Sequence, residues 1–186
     1  ILRRNIRYNY YYSCRRLHSV QMNKIDTINR NTVILSSLSL GLLIFAFYTQ
    51  FFQGLQPCKL CVLQRWPHII VVLIGLHVVL TRRTYLTACY LAIVSMLVSV
   101  AISTFHFGIE MKLWPGLEGC SGVTHLDDLS PEEFLEKLLE TPVARCDEAS
   151  WLFLNISMAG WNAVFSILLT FFWGYNTLIC KNALKS

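Results

Sequence analysis

Two cysteines separated by two residues are the feature of this sequence with the clearest chemistry. Cys58 and Cys61 form a Cys-Lys-Leu-Cys sequence. At the start of a helix this spacing holds two sulfurs close together, and the helix N-terminus stabilises a thiolate. Cys120 and Cys146 follow further along the chain and could supply a second pair. Because a thiolate attacks a disulfide sulfur, electrons can pass from one cysteine pair to the next, which indicates a thiol–disulfide relay.

A basic residue follows the close pair at helical spacing. Arg65 lies four residues after Cys61, one turn along the same helix face. A cation there would favour a Cys61 thiolate or the negative charge that develops on a bound electron acceptor. An arginine at membrane depth is costly and is a functional candidate by default, although its long side chain could also extend to the lipid headgroups.

Two other uses of the cysteines stay open from residue types alone. The close pair and the two downstream cysteines could hold a structural zinc ion, together with His106 or His125. They could also form two inert disulfides. The relay is favoured because two pairs, an arginine and a membrane setting occur together.

The distribution of charge predicts the elements that carry these residues. The chain is 54% hydrophobic and only 15% charged, with a mean hydropathy of +0.47, whereas a soluble domain is about 25% charged. Residues 31–58, 66–81, 84–109 and 149–180 contain no Asp, Glu, Lys or Arg. Since about 20 apolar residues span a bilayer, these runs exclude a disordered chain, a small secreted disulfide scaffold and an ordinary soluble core. They predict an all-α membrane protein, a bundle of four transmembrane helices.

The helices are predicted over residues 33–52, about 60–80, 85–107 and 151–175. The second is long enough only if it begins near Leu60 and includes Arg65 and Pro67. A proline there removes a backbone hydrogen bond and should bend the helix.

Loop charges predict the orientation of the bundle. Seven cations and one acid precede the first apolar run, Arg82 and Arg83 join helices two and three, and Lys181 and Lys185 follow helix four. By the positive-inside rule, both termini and the 2–3 loop are cytoplasmic. The net charge of +5 is then a topology signal, and we expect no nucleic-acid partner. Cys58, Cys61, Cys120 and Cys146 fall on the outer side, where disulfides persist.

The chain divides into three predicted parts. Residues 1–32 form a basic cytoplasmic tail, of which 1–21 precede the first methionine and are interpreted as an upstream extension. Residues 33–180 form the bundle, with an outer loop over 108–150, and residues 181–186 form a cytoplasmic tail. Within the loop, 130–140 has a capping box and an apolar face, which favour a short amphipathic helix at the membrane interface.

The stretch QPCKLCVLQRWPH at 56–68 resembles the signature of the DsbB/DsbI family of bacterial inner-membrane disulfide oxidoreductases. Further similar motifs lie at 105–110, 114–120, 145–148 and 157–162, so that the likeness covers about residues 30–180. Vitamin K epoxide reductases also couple such a pair to a quinone, but their loop cysteines precede the pair. In this sequence the loop cysteines follow it, which favours the DsbB family.

The resemblance implies an activity. Such proteins reoxidise a periplasmic thioredoxin-like dithiol partner of the DsbA type and pass the electrons to the quinone pool, here ubiquinone or menaquinone. By the same resemblance, a partner thiolate attacks Cys120, and the released Cys146 attacks Cys58. That attack leaves Cys61 as a thiolate beside the quinone.

The resemblance also assigns residues to the quinone site. Arg65 matches the quinone-proximal arginine of the family, and His106 matches a histidine that could bind quinone or deliver protons. Trp66 is a further candidate for bordering the quinone, beside its simpler interpretation as an interfacial aromatic residue. No metal is expected. The sequence departs from one branch of the family at Gln64, where an acidic residue can precede the arginine, so a carboxylate at that position has no counterpart here.

Overall fold

The computed structural model describes the backbone of residues 2–116, 145–149 and 151–185, and the side chains of residues 22–116, 145–149 and 151–183. Its elements are, in chain order, α1 (Leu2–Phe52), α2 (Lys59–Leu63), α3 (Arg65–Thr81), α4 (Leu86–Glu110), β1 (Leu152–Phe153), β2 (Ile156–Ser157) and α5 (Met158–Lys185). Four helical segments in this part of the chain are long and apolar enough to cross a membrane: Met22–Phe52, Lys59–Thr81, Leu86–Glu110 and Met158–Ala183. The predicted four-helix membrane fold is confirmed.

Many large apolar side chains lie on the outside of the bundle, and small polar side chains lie inside it. Leu38, Leu73 and Phe171 are exposed at mid-span, whereas Ser36 and Ser99 are buried. Some buried hydroxyls bond to neighbouring helices, and the Ser36 hydroxyl donates to the Val71 carbonyl at 2.9 Å. This distribution is typical of helices that pack in lipid, where close approach and interhelical hydrogen bonds replace the hydrophobic effect.

A single apolar cluster joins α1, α3, α4 and α5 at the centre of the bundle. Its buried members are Leu35, Val71, Ile74, Ala92, Met96, Leu169 and Trp173. Beside it, Gly75 of α3 lies against Ser36 of α1 so closely that a Cβ atom on Gly75 would collide with the serine side chain. Residues without bulk at such contacts let the backbones approach.

The second membrane-spanning segment is interrupted just before Pro67. α2 ends at Leu63 and α3 begins at Arg65, with Gln64 between them in a turn of nearly helical geometry. Pro67 has no N–H to donate to the Leu63 carbonyl, so the helical ladder is interrupted one turn before it. The predicted second helix is therefore present as two segments that are interrupted at Gln64.

Four helix boundaries differ clearly from the sequence prediction. α1 begins at Leu2 instead of residue 33, α4 continues past residue 107 to Glu110, and α5 continues past residue 175 to Lys185. α5 begins at Met158 because residues 152–157 form a hairpin, whose turn holds Leu154 at φ 51° and Asn155 at φ 61°. Such left-handed backbone cannot continue a right-handed helix. The predicted helix at 130–140 lies outside the described residues.

The bundle has two chemically different ends. At one end, the Asn29 amide donates to the Arg82 carbonyl at 2.8 Å, and Cys89 and Cys180 pack together in a small buried cluster. At the other end, Cys58 and Cys146 share a buried cluster. Seventeen residues of α4 separate Cys89 from the redox end at His106, which corresponds to about 25 Å. The cysteines of the two ends are therefore distinct groups.

We expect Gly75→Ala to destabilise the bundle by about 1–3 kcal/mol, since the new methyl group overpacks the α1–α3 contact. Gly41→Ala is the matched control, because a Cβ atom there meets nothing within 4 Å and alanine favours a helix by about 1 kcal/mol. Thermal unfolding in detergent, followed by circular dichroism, measures both variants. Equal melting temperatures for the two would contradict the packing argument.

Candidate functional site

The Cys58 side chain caps the short helix α2. Cys58 has extended backbone, and its sulfur accepts a hydrogen bond from the Cys61 backbone N–H at 3.3 Å. The two sulfurs lie 3.2 Å apart, and both residues are free thiols in the structure. The predicted close pair at a helix start is therefore present as a hydrogen-bonded dithiol.

His106 of α4 faces the same sulfur. Its Nε2 atom lies 3.6 Å from the Cys58 sulfur, and its Nδ1 atom accepts from the Gln64 amide nitrogen at 2.9 Å. The histidine side chain is buried. Because Nδ1 is an acceptor, the ring proton of a neutral His106 sits on Nε2 and is directed at Cys58.

A chain of hydrogen bonds fixes this arrangement from behind. His68 Nε2 contacts the Asn162 carbonyl oxygen at 3.1 Å, and the Asn162 amide nitrogen donates to the Gln64 carbonyl oxygen at 2.8 Å. Gln64 in turn donates to His106. These four residues, hereafter the polar chain, come from α3, α5, the α2–α3 junction and α4. Each member donates a hydrogen bond to the next, and the last member, His106, directs its proton at Cys58.

The site lowers the pKa of Cys58 from 9.0 to about 4. The largest cause is the hydrogen bond from the Cys61 thiol, which stabilises a thiolate on Cys58. Burial opposes this effect, and the hydrogen bond with His106 adds to it. The reduced pair therefore shares one proton, with the negative charge on Cys58.

Cys146 brings a disulfide sulfur to this thiol. It is buried and disulfide-bonded, and its sulfur, the Cys58 sulfur and a ring nitrogen of His106 all lie within 4.8 Å of one another. A disulfide sulfur is not a thiolate ligand, so this cluster favours sulfur exchange over zinc binding. Cys120 and His125 lie outside the described residues.

The dithiol opens onto a cavity of about 650 Å³, a size typical of small-molecule sites. Its walls are mostly apolar and come from α1, α5 and the hairpin, including Leu42, Phe45, Leu55, Met158, Ala159 and Phe165. The polar groups that reach it include Cys58, Cys61, Arg65, His106 and Glu110. An apolar cavity with convergent polar groups at one end fits a flat, hydrophobic redox molecule.

Arg65 reaches this cavity from α3. Its guanidinium donates to the Gln50 side-chain oxygen at 2.7 Å and lies over the Phe47 ring, 4.7 Å from the ring centroid. Of the three residues predicted for quinone binding, Arg65 and His106 line the cavity. Trp66 does not, since its side chain is 60% exposed on the outside of the bundle.

Comparison with known proteins gives the family. The family model described as disulfide bond formation protein DsbB matches residues 29–176. The chain belongs to this family. Disulfide bond formation protein B of Hahella chejuensis is 29% identical over 152 residues, which cover 79% of this chain and 92% of that relative. An uncharacterized protein of Rickettsia prowazekii is 25% identical, with coverage of 81% and 88%. Disulfide bond formation protein B of Haemophilus influenzae is 28% identical, with coverage of 70% and 75%. No solved structure matches the chain significantly.

Ion pairs hold the segment that carries Cys146 of this DsbB-family protein. Arg145 forms a two-pronged hydrogen bond with Asp147 at 3.1 and 2.8 Å, and it holds the pKa of that carboxyl below its usual value. Lys112, just beyond α4, donates to the Asp147 backbone carbonyl at 2.9 Å. The segment is thereby tied to the end of the helix that presents His106.

Sequence reasoning missed the roles of two polar residues of this DsbB-family site. Gln64 was noted only as a departure from the family, whereas it orients His106. Glu110 was counted as an outer-loop acid, but it ends α4 one turn after His106, and the Ser157 hydroxyl donates to it. The spacing of His106 and Glu110 was a usable signal once the helix was extended by one turn.

We expect Cys61→Ala to raise the pKa of Cys58 towards the ordinary thiol value, because the strongest donor to the thiolate is lost. At pH 6 the thiolate fraction of Cys58 should then fall at least about a hundredfold. The measurement is the ultraviolet absorbance of the thiolate against pH in the reduced protein, with Cys58→Ser as the blank.

Gln64→Leu should raise the same pKa by a smaller amount, because His106 loses the donor that holds its proton on Nε2. Cys89→Ala, at the other end of the bundle, is the control and should leave the titration unchanged. An unaltered titration in Cys61→Ala would refute the assignment of the charge to Cys58.

Proposed function

We propose that this protein is a quinone-dependent thiol oxidase that reoxidises a periplasmic thioredoxin-like dithiol protein of the DsbA type. The observation that carries the proposal is the position of the Cys58–Cys61 pair between two partners. On one side lies the disulfide sulfur of Cys146, and on the other lies the apolar cavity. A pair so situated can exchange electrons with both.

The first half of the proposed cycle is thiol–disulfide exchange. A partner thiolate attacks Cys120, which we propose as the disulfide partner of Cys146, and Cys146 leaves as a thiolate. Cys146 then attacks Cys58 of the oxidised close pair, and Cys61 leaves as a thiolate. The second thiol of the partner then attacks the partner's own sulfur in the mixed disulfide, which forms the partner disulfide and releases Cys120 as a thiolate. Cys120 attacks Cys146, which re-forms the Cys120–Cys146 disulfide and releases Cys58. Two electrons have then moved from the partner dithiol to the close pair, and one disulfide remains on the partner.

The contacts of Cys58 support its role as the attacked sulfur. It lies within 4.8 Å of Cys146. When Cys58 is a thiolate, the Cys61 thiol and His106 both donate to it. These groups stabilise the negative charge that Cys58 carries once its bond to Cys146 has been broken and the close pair is fully reduced.

The cavity supports quinone as the electron acceptor. Its volume and apolar walls suit a ubiquinone or menaquinone ring, and Arg65 and His106 are the residues that would hold the ring oxygens. A bound quinone supplies a two-electron, two-proton acceptor. Arg65 would stabilise negative charge on an oxygen, and it is oriented for this by Gln50 and Phe47.

The ends of the bundle fit an inner-membrane protein whose redox site faces the periplasm. Arg82 and the buried Cys89–Cys180 cluster lie at the end opposite Cys58. The positive-inside rule assigns that basic end to the cytoplasm. The exchange cysteines then lie in the compartment where disulfides persist.

Quinone reduction by the purified protein with a reduced thioredoxin-like dithiol protein tests the function. We expect Cys58→Ser or Cys61→Ser to abolish turnover, because either change removes a sulfur that must carry electrons. Cys89→Ser and Cys180→Ser are matched controls with buried cysteines at the other end, and both should retain turnover. Full activity in Cys58→Ser would refute the relay.

Arg65→Gln should raise KM for quinone more than it lowers kcat, because it removes a charged hydrogen bond to the acceptor. Such a bond contributes about 1.5–3 kcal/mol, which corresponds to roughly 10- to 100-fold in KM. Arg65→Lys should recover part of the affinity, and Arg82→Gln, at the basic end, should have no effect. An unchanged KM in Arg65→Gln would exclude a contact between Arg65 and quinone.

A further inference from the structure

Glu110 is a buried carboxyl beside the cysteine pair that the proposed cycle has not used. Its side chain is 8% exposed, and it lines the same cavity as Cys58. Its polar contacts are Nε2 of His106, at 3.9 Å, and the hydroxyl of Ser157. Among the described residues, no lysine or arginine forms an ion pair with it. A carboxylate buried without a cation is costly unless it can take up a proton.

The hydrogen bonds of Glu110 distinguish its two oxygens. The Ser157 oxygen accepts from the Gly160 backbone N–H at 3.1 Å, so its own proton is directed at Oε2 of Glu110. Oε2 is thereby an acceptor. Oε1, which faces His106, is the oxygen left to carry a proton.

The polar chain opposes a second proton on His106. The Nδ1 atom accepts from Gln64, and the Gln64 amide is oriented by Asn162. A proton on Nδ1 would meet the Gln64 amide hydrogens and would require that amide to turn, which breaks its bond with Asn162. His106 is thus built to donate its single Nε2 proton.

The other charged groups around Glu110 are already paired. Arg65 donates to Gln50, and Arg145 pairs with Asp147 and with the exposed Glu148. Cys58 and Cys61 share one proton between their sulfurs. Full reduction of a disulfide to two thiols takes up two protons, whereas this pair keeps one, so the second proton needs another position.

We propose that Glu110 is the proton store of the cysteine pair: its Oε1 takes up the second proton when the Cys58–Cys61 disulfide is reduced and releases it into the cavity when the disulfide re-forms. In reduction, the sulfur–sulfur bond breaks, two electrons enter, and the products are a Cys58 thiolate, a Cys61 thiol and a protonated Glu110. In oxidation, the sulfur–sulfur bond forms, two electrons leave, and the protons of Cys61 and Glu110 leave with them. The inference rests on the proposed function in that the pair must cycle between dithiol and disulfide.

Proton uptake on reduction tests this proposal without quinone or a protein partner. The full chain carries Cys120→Ser and Cys146→Ser, so that the close pair is the only redox pair facing the cavity. It is reduced with a small dithiol near neutral pH. A pH-indicator dye measures the net proton change per disulfide reduced, and the protons bound by the protein are obtained after allowing for the two that the small dithiol releases on oxidation. Infrared difference spectra detect a protonated carboxyl group.

In this background we expect two protons per disulfide and a new protonated-carboxyl band on reduction. Glu110→Gln should bind one proton and lose the band, because glutamine still accepts from Ser157 but cannot titrate. Glu148→Gln, the matched exposed carboxyl, should still bind two protons and keep the band. Glu110→Asp should keep the band at a shifted frequency, which a purely structural role would not produce.

Three results would overturn the proposal. They are uptake of one proton by the background protein, uptake of two by Glu110→Gln, and a carboxyl band that survives in Glu110→Gln. The first needs no Glu110 variant, so a folding defect in Glu110→Gln leaves the proposal testable. Failure of quinone reduction would refute the proposed function alone, since this experiment contains no quinone.

Discussion

A polar group inside a bilayer must find its hydrogen-bond partners within the protein, and the structure of this chain depends on that constraint. The interior of the bundle contains serines, histidines and amides, and many of them bond across helices. The Ser36 hydroxyl reaches a carbonyl of α3, and Ser99 pairs with Ser166 of α5 at 2.8 Å. At the end that carries Cys58, the same requirement joins four segments through the polar chain. Hydrogen bonds between helices therefore determine both how the helices pack and how the redox site is arranged.

The site lies where the bundle departs from regular structure. Pro67 interrupts the second span next to Gln64, the 152–157 hairpin delays the start of α5, and α4 continues one turn beyond its apolar run. These departures bring Gln64 to His106 and Ser157 to Glu110, beside the cavity that Cys58 lines. A strictly regular four-helix bundle would leave no cavity beside the cysteine pair and no polar groups at its edge.

Most of the architecture was predictable because it depends on local signals. Charge-free runs predicted four spans, Pro67 predicted the break in the second, and the Cys58–Cys61 spacing predicted paired sulfurs. The hairpin was missed because Leu154 and Asn155 stand in an apolar run where periodicity does not distinguish a turn from a helix. The polar chain was missed because Gln64, His106 and Asn162 are far apart in sequence and meet only through packing. The position of Trp66 was not predictable from its neighbour Arg65, because the arginine lines the cavity while the tryptophan side chain lies exposed on the outside of the bundle.

The common direction of the polar chain has an electrostatic consequence. Each of its dipoles turns a positive end towards Cys58, so four neutral side chains act together like a helix N-terminus assembled from side chains instead of backbone. The field that they produce is built into the fold and is shielded from the solvent. Because dissolved ions screen buried charges much less than exposed ones, the preference of this sulfur for negative charge should hold from dilute to concentrated salt, unlike a thiolate stabilised by a surface lysine.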